Sequence, residues 1–234
     1  MEYGFVVIWL ALYLLLTYVG ATVASALFPR FAERGVAFGL PVALVILWLS
    51  TYFVGRVSIT AGIWLGVVAL IGAAVAVAYR REPVDRRSFA EVAAVFTVAF
   101  LFLVWVRALD PAISPLAGEK FLDFGLVQSL LRADTLPPED MWFAGEPVAY
   151  YYGGHLLTAI LTRLTGTGGQ FAYNLALAGF YATLVTGVYG LAGAVAAARE
   201  VPRRLAAGLS AFFVGIAPNL TTPARAALSL LPHA

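Results

Sequence analysis

The amino-acid sequence predicts an all-α fold, a polytopic bundle of about six or seven transmembrane helices with a long external loop carrying an amphipathic surface helix. Three observations predict it. Hydrophobic residues make up 62% of the chain, charged residues 12%, and the mean hydropathy is +0.88, well outside the range of soluble globular domains. Apolar runs of about 20 residues, the length that crosses a bilayer as a helix, recur along the chain. Most of the carboxylates are gathered in one polar stretch, Arg107 to Tyr152, between two such runs.

The spans fall near residues 5–28, 36–54, 58–79, 89–107, 150–166, 169–198 and 203–217. The first begins after Glu2 rather than after a basic region and stays apolar to Phe28, too long for a signal-peptide core, so it reads as a transmembrane helix. The fifth is short and opens on three tyrosines, and the seventh meets Ala217-Pro218-Asn219, which ends it. Residues 222–234 read as a weak helix that stops without a cap, as in a fragment of a longer protein. Residues 1–88 therefore form an N-terminal three-span block, and 89–234 a second membrane module that contains the external loop 108–149 and is incomplete at its C-terminus.

Orientation follows from arginine placement, because cytoplasmic loops carry the excess of basic residues. Arg80, Arg81, Arg86 and Arg87 place the loop after the third span inside, and Arg30 and Arg34 do the same for the first loop. The N-terminus and the 108–149 loop then lie outside the cell membrane. Counting seven spans leaves a conflict, since it puts Arg199, Arg203 and Arg204 outside. A re-entrant or miscounted late helix would remove the conflict, and so would an anionic lipid or substrate group beside these arginines. The chain has no cysteine, which excludes disulfides and thiolate metal sites. Its net charge of +2 comes without a basic patch interleaved with exposed aromatics, so nucleic acid is not an expected partner.

A loop of about 40 residues is long for a connection and usually carries function or structure of its own. From Gly118 to Ala133, Phe121, Leu122, Phe124, Leu126, Val127, Leu130 and Leu131 alternate with Glu119, Lys120, Asp123, Gln128, Ser129 and Arg132 as in an amphipathic helix. Such a helix would lie on the membrane with its leucine face in the acyl boundary. Pro137-Pro138 breaks it. Glu119 and Asp123 stand four residues apart, one above the other on one face. Two carboxylates so placed suit a general base or a hard-cation site, whereas a solvated face neutralised by Lys120 or Arg132 explains them without any chemistry. Arg107 and Asp110 mark the exit of the fourth span, as a headgroup-snorkelling pair or as a phosphate clamp. Tyr150, Tyr151 and Tyr152 suit an interfacial aromatic belt, although three in a row require one to face the interior. His155 follows Tyr151 and Tyr152 by four and three residues and shares their face, as a structural histidine or as an acid or phosphate ligand. Glu91, at the start of the fourth span, is explained by the helix dipole.

Arg-x-x-Asp-Pro at 107–111, Glu-Lys-x-x-Asp-Phe at 119–124, and Pro-Pro-x-Asp-x-Trp-x-Ala-Gly through Tyr-Tyr-Tyr-x-Gly-His at 137–155 resemble the YYY family of archaeal and Chloroflexi membrane proteins. That family is similar to the GT-C superfamily of integral-membrane glycosyltransferases, so the resemblance makes 89–234 a GT-C-like module. It implies transfer of a sugar from a polyprenyl-phosphate donor to an acceptor on the external face. Glu119 or Asp123 would then be the catalytic base, or would hold a divalent cation, Mg or Mn, together with Asp140. Lys120, Arg107 and His155 would bind the lipid phosphate with Asp110 beside them, and Tyr151, Tyr152 and Trp142 would line the sugar or polyprenyl. Two other classes stay open: a transporter or flippase, for which the first three spans offer few midplane polar groups, and a non-catalytic assembly subunit.

Overall fold

The computed structural model describes residues 3–31, 33–108, 112–113 and 120–217. Among these the chain forms α1 (Tyr3–Leu27), a 3-10 turn (Val36–Phe38) that leads into α2 (Gly39–Val54), α3 (Ile59–Ala78), α4 (Arg86–Arg107), α5 (Lys120–Arg132), α6 (Gly153–Thr165), α7 (Gly169–Ala198) and α8 (Arg203–Gly215). Five segments are long and apolar enough to cross a bilayer: α1, the turn with α2, α3, α4 and α7. Their bounds follow the hydropathy runs. The expected fifth and seventh spans differ. α6 and α8 have 13 residues each, about 20 Å of helix against a hydrocarbon core of about 30 Å.

Local chemistry sets the ends of the helices. Ser58 caps α3 by accepting the Ala61 amide, and Asp85 caps α4 by accepting the Ser88 amide at 2.8 Å. The Ser88 bonds hold the Asp85 carboxyl below its usual range. Gly166, at φ 66°, ends α6 in the left-handed conformation that only glycine adopts freely.

The core forms around α1, where Trp9 and Tyr13 are fully buried. Phe96 and Phe100 of α4 lie 5.5 and 5.8 Å from the Tyr13 ring, centroid to centroid. On the opposite side the ring fills the space a side chain at Gly179 of α7 would need. α1 and α2 approach most closely at Gly20 and Gly39, where a Cβ on either would run into the other helix's backbone. Trp9 Nε1 donates to Thr167 Oγ1 at 2.9 Å, tying α1 to the turn between α6 and α7.

The bundle has two chemically distinct ends. The loop end holds the α2–α3 turn, the C-terminus of α4, α5, α6 and the start of α7. The stretch after α5 is fastened there by two backbone bonds, Ile59 N–H to Asp134 O at 2.8 Å and Leu136 N–H to Gly55 O at 2.7 Å. α6 stays at this end along its whole length. Its start receives the Trp48 indole N–H on Gly153 O, and near its end Arg163 donates to Thr60 Oγ1 at the start of α3. α7, the fifth segment long and apolar enough to cross, therefore delivers Arg199, Arg203 and Arg204 to the end that already carries Arg30, Arg34, Arg80, Arg81, Arg86 and Arg87. This removes the conflict in the arginine count. The cause is the short α6, which turns back instead of crossing.

α5 lies where the amphipathic pattern predicts a helix, but its leucine face does not look into lipid. Leu126, Val127 and Leu130 are fully buried, and Leu130 belongs to the same core as Leu156 and Ile160 of α6. α5 and α6 run side by side in the same direction. Arg163 fastens one end of the pair by donating to the carbonyls of Leu130, Leu131 and Ala133, at 3.1, 3.3 and 2.6 Å. Three unsatisfied carbonyls at a helix C-terminus are thereby capped by one guanidinium.

Candidate functional site

The other end of the α5–α6 pair carries the polar constellation. Asp123 stands one turn into α5, and its two oxygens have separate partners. Oδ1 lies 3.0 Å from His155 Nε2 of α6, and Oδ2 accepts the Tyr173 hydroxyl of α7 at 2.9 Å. Three helices thus converge on one half-buried carboxylate. With Nε2 donating to Asp123, the imidazole carries its proton there, and Nδ1 is buried without a hydrogen-bond partner.

The constellation opens into a cavity of about 250 Å³, lined by Asp123, Tyr151, His155, Thr158, Tyr173 and Phe180, among others. The wall is polar where α5 and α6 meet and apolar along α7, a pattern that suits an amphiphilic ligand. Tyr151 forms part of the rim; it is 77% exposed and stacks on Tyr150 with ring centroids 4.0 Å apart. Arg107, in the last turn of α4, is half-buried within electrostatic reach of the Tyr173 hydroxyl. Its Nε is buried without a hydrogen-bond partner. Lys120 opens α5 three residues before Asp123, hence on a neighbouring position of the same helix face.

Other expected site residues lie elsewhere. Asp140 spends its carboxylate on a turn, accepting the amides of Trp142 and Phe143 at 2.8 and 3.3 Å. Glu139 braces the same turn by accepting the Gly145 amide at 2.7 Å. The braced turn holds Trp142 and Phe143 out from the surface, away from the lining of the Asp123 cavity. Tyr152 does not share a face with Tyr151 and His155, because α6 begins only at Gly153. Tyr152 turns toward Tyr52 and Arg56 at the end of α2, and burial, reinforced by Tyr52, pushes its hydroxyl above the usual value. Glu119 and Asp110 lie outside the described residues. Among the described residues no three His, Asp or Glu side chains gather as a metal-binding group. The cation set of Glu119, Asp123 and Asp140 is therefore not assembled by the residues described, and Asp140 is already committed to its turn.

A family model described as "Uncharacterized membrane protein (DUF2298)" matches residues 42–234, most of the chain. The chain belongs to this membrane protein family. The matched region contains α3 to α8 and every residue of the Asp123 constellation, and membership agrees with five bilayer-length helices in making the chain an integral membrane protein. No curated protein and no solved structure matches the chain.

Sequence reasoning missed Tyr173 and Thr158. Tyr173 is 50 residues from Asp123 and sits one turn into an apolar span, where a tyrosine reads as an interfacial aromatic. Sequence reasoning also misread Glu91. A helix dipole does not account for it, because it accepts the Tyr189 hydroxyl at 2.7 Å, Arg203 Nη2 at 2.5 Å, and Arg204 Nε and Nη2 at 3.1 and 2.9 Å.

Proposed function

We propose that the chain is the membrane module of a glycosyltransferase that moves a sugar from a polyprenyl-phosphate donor to an acceptor hydroxyl on the external face of the cell membrane. The observation that carries this reading is the convergence of Asp123, His155 and Tyr173 at an open, half-apolar cavity at the loop end of the spans. A carboxylate with two oxygens has about four lone-pair sites. The bonds from His155 and Tyr173 occupy two of them, aim the group and leave room for an acceptor hydroxyl.

In the proposed step Asp123 takes the acceptor's proton as its oxygen bonds to the anomeric carbon, and the bond from that carbon to the polyprenyl-phosphate oxygen breaks. The leaving phosphate gains charge as it departs, and Arg107, within electrostatic reach of Tyr173, and Lys120, one turn before Asp123, would balance it. His155 and Tyr173 act as positioning residues, holding the carboxylate in one orientation. Orientation supports the external placement, since the nine arginines of the opposite end put that end on the cytoplasmic side.

The test is transfer of radiolabelled sugar from polyprenyl-phosphate donors in membranes that contain the protein. Asp123→Asn at equal expression is expected to abolish transfer, and undiminished transfer would remove Asp123 from the mechanism.

A further inference from the structure

A second cavity lies further along α7, toward the arginine end. α4, α7 and α8 form an open groove of about 420 Å³ with an almost wholly hydrocarbon lining that includes Val95, Val98, Phe102, Val185, Ala211 and Phe212. α4 and α7 are both bilayer-length helices, so the groove opens at membrane depth. From Ala94 to Phe102 it follows α4 for about 12 Å. α8 supplies its third wall, with Gly208 and Gly215 keeping that wall low. Among the described residues only Ala207 of α8 is buried, so these residues leave most of the apolar side chains of α8 uncovered.

The groove does not end in hydrocarbon. At the arginine end its lining includes Tyr189, whose hydroxyl is bound to Glu91, and Arg204 lies on the other oxygen of that carboxylate. Arg204 gives Nε and Nη2 to Glu91 and still keeps donors in a side chain that is 62% exposed. Arg199, which caps the end of α7, is exposed at the same end of the bundle. Among the described residues this end of the bundle carries nine arginines against five carboxylates, Glu33, Glu82, Asp85, Glu91 and Glu200. An apolar channel at bilayer depth with an exposed guanidinium at its mouth matches one class of molecule, a hydrocarbon chain with an anionic head.

We infer that the groove between α4, α7 and α8 holds one acyl chain of an anionic phospholipid whose phosphate sits against Arg204 and Arg199. The site is at the opposite end of the bundle from Asp123 and does not depend on the transfer reaction. Its occupant comes from the leaflet that the arginine end faces.

The experiment reconstitutes the full chain in mixed phosphatidylcholine and phosphatidylglycerol vesicles with the anionic lipid as the minor component. The protein is then extracted in mild detergent, and the phospholipid retained per chain is measured by mass spectrometry. Wild type is expected to retain one phosphatidylglycerol, enriched about tenfold over its share of the vesicle. Gly208→Leu fills the groove, since a side chain at Gly208 meets open space, and is expected to lose the bound lipid of either class. Arg204→Gln leaves the groove intact and is expected to weaken the preference for phosphatidylglycerol about fivefold, the effect of one basic side chain at a membrane surface. Retention in the vesicle's own ratio would overturn the anionic assignment. Equal retention by wild type and Gly208→Leu would overturn the groove assignment, as would a wild type that retains no phospholipid. Near-ultraviolet circular dichroism on each variant separates lipid loss from unfolding, and Gly208→Leu removes a helix-weakening glycine, so it tests the site even if Arg204→Gln does not fold.

Discussion

At the loop end Asp123 is held by a histidine and a phenol and faces a cavity, whereas at the arginine end Glu91 takes four hydrogen bonds from Tyr189, Arg203 and Arg204 and faces protein. Arg203 also reaches back to Glu33, 3.5 Å away, whose side chain is 3% exposed. Both ends concentrate carboxylates where helices meet. What differs is the partner. Guanidinium groups neutralise a carboxylate and fix it, so the arginine end clamps α8 to α4, α7 and the α1–α2 turn. His155 and Tyr173 orient the two Asp123 oxygens and leave the group open to the cavity, so Asp123 stays available to a ligand.

The comparison breaks first if activity does not separate the ends. Asp123→Asn is expected to cut sugar transfer about a thousandfold, the scale of a lost general base, while Glu91→Gln leaves transfer per folded molecule within about twofold. Comparable losses in both variants would mean that the arginine end takes part in the chemistry. Stability should separate the ends in the opposite sense. Arg203→Ala leaves the buried Glu33 without its cation and Glu91 with Arg204 alone, and is expected to cost about 3 kcal/mol, read as a fall in the thermal unfolding midpoint in detergent. An unchanged midpoint would show that the clamp carries no stability.

Tyr173→Phe sharpens the role of the groups that hold Asp123. It removes one hydrogen bond to a charged oxygen, worth about 1.5 kcal/mol, so transfer should fall about tenfold through kcat with KM unchanged. A rise in KM alone would make Tyr173 a ligand contact instead of a positioning residue.

The smallest effect concerns Glu33, whose carboxyl is raised above 4.5 chiefly by burial, with Arg203 opposing. The folded state therefore holds a proton that the unfolded chain has already released. The stability contributed by this group is present below pH 4.5 and is lost as pH rises through the folded value. Glu33→Gln is expected to raise the unfolding midpoint at neutral pH and to change it little in acid. A lower midpoint at neutral pH would show that the Arg203 ion pair outweighs the cost of burial.

The long spans were legible because hydropathy is a local sum. The runs at 36–54 and 169–198 coincide with the observed segments Val36–Val54 and Gly169–Ala198, and the others differ by a few residues at each end. α5 was legible from its periodicity, and Asp123 was a candidate because it stands on that helix. The braced turn at Glu139 and Asp140 was not. A carboxylate that accepts amides two and three residues ahead looks in sequence like one that awaits a cation. Nor was the fate of α6, because an apolar stretch can be buried in lipid or in protein with the same composition. Arg163, fixed on the carbonyls of α5, decides for protein.

The sequence by itself determined that this is a membrane-spanning helical bundle, where its long helices begin and end, and that its polar chemistry gathers between α4 and α7. Tertiary structure alone decided that Asp123 meets His155 and Tyr173, that Glu91 meets Arg203 and Arg204, and that α8 walls a groove with α4 and α7. Transfer of apolar groups out of water depends on composition, which can be summed along the chain. A hydrogen bond depends on the position of two atoms within a few tenths of an ångström, and these partners stand between 32 and 113 residues apart.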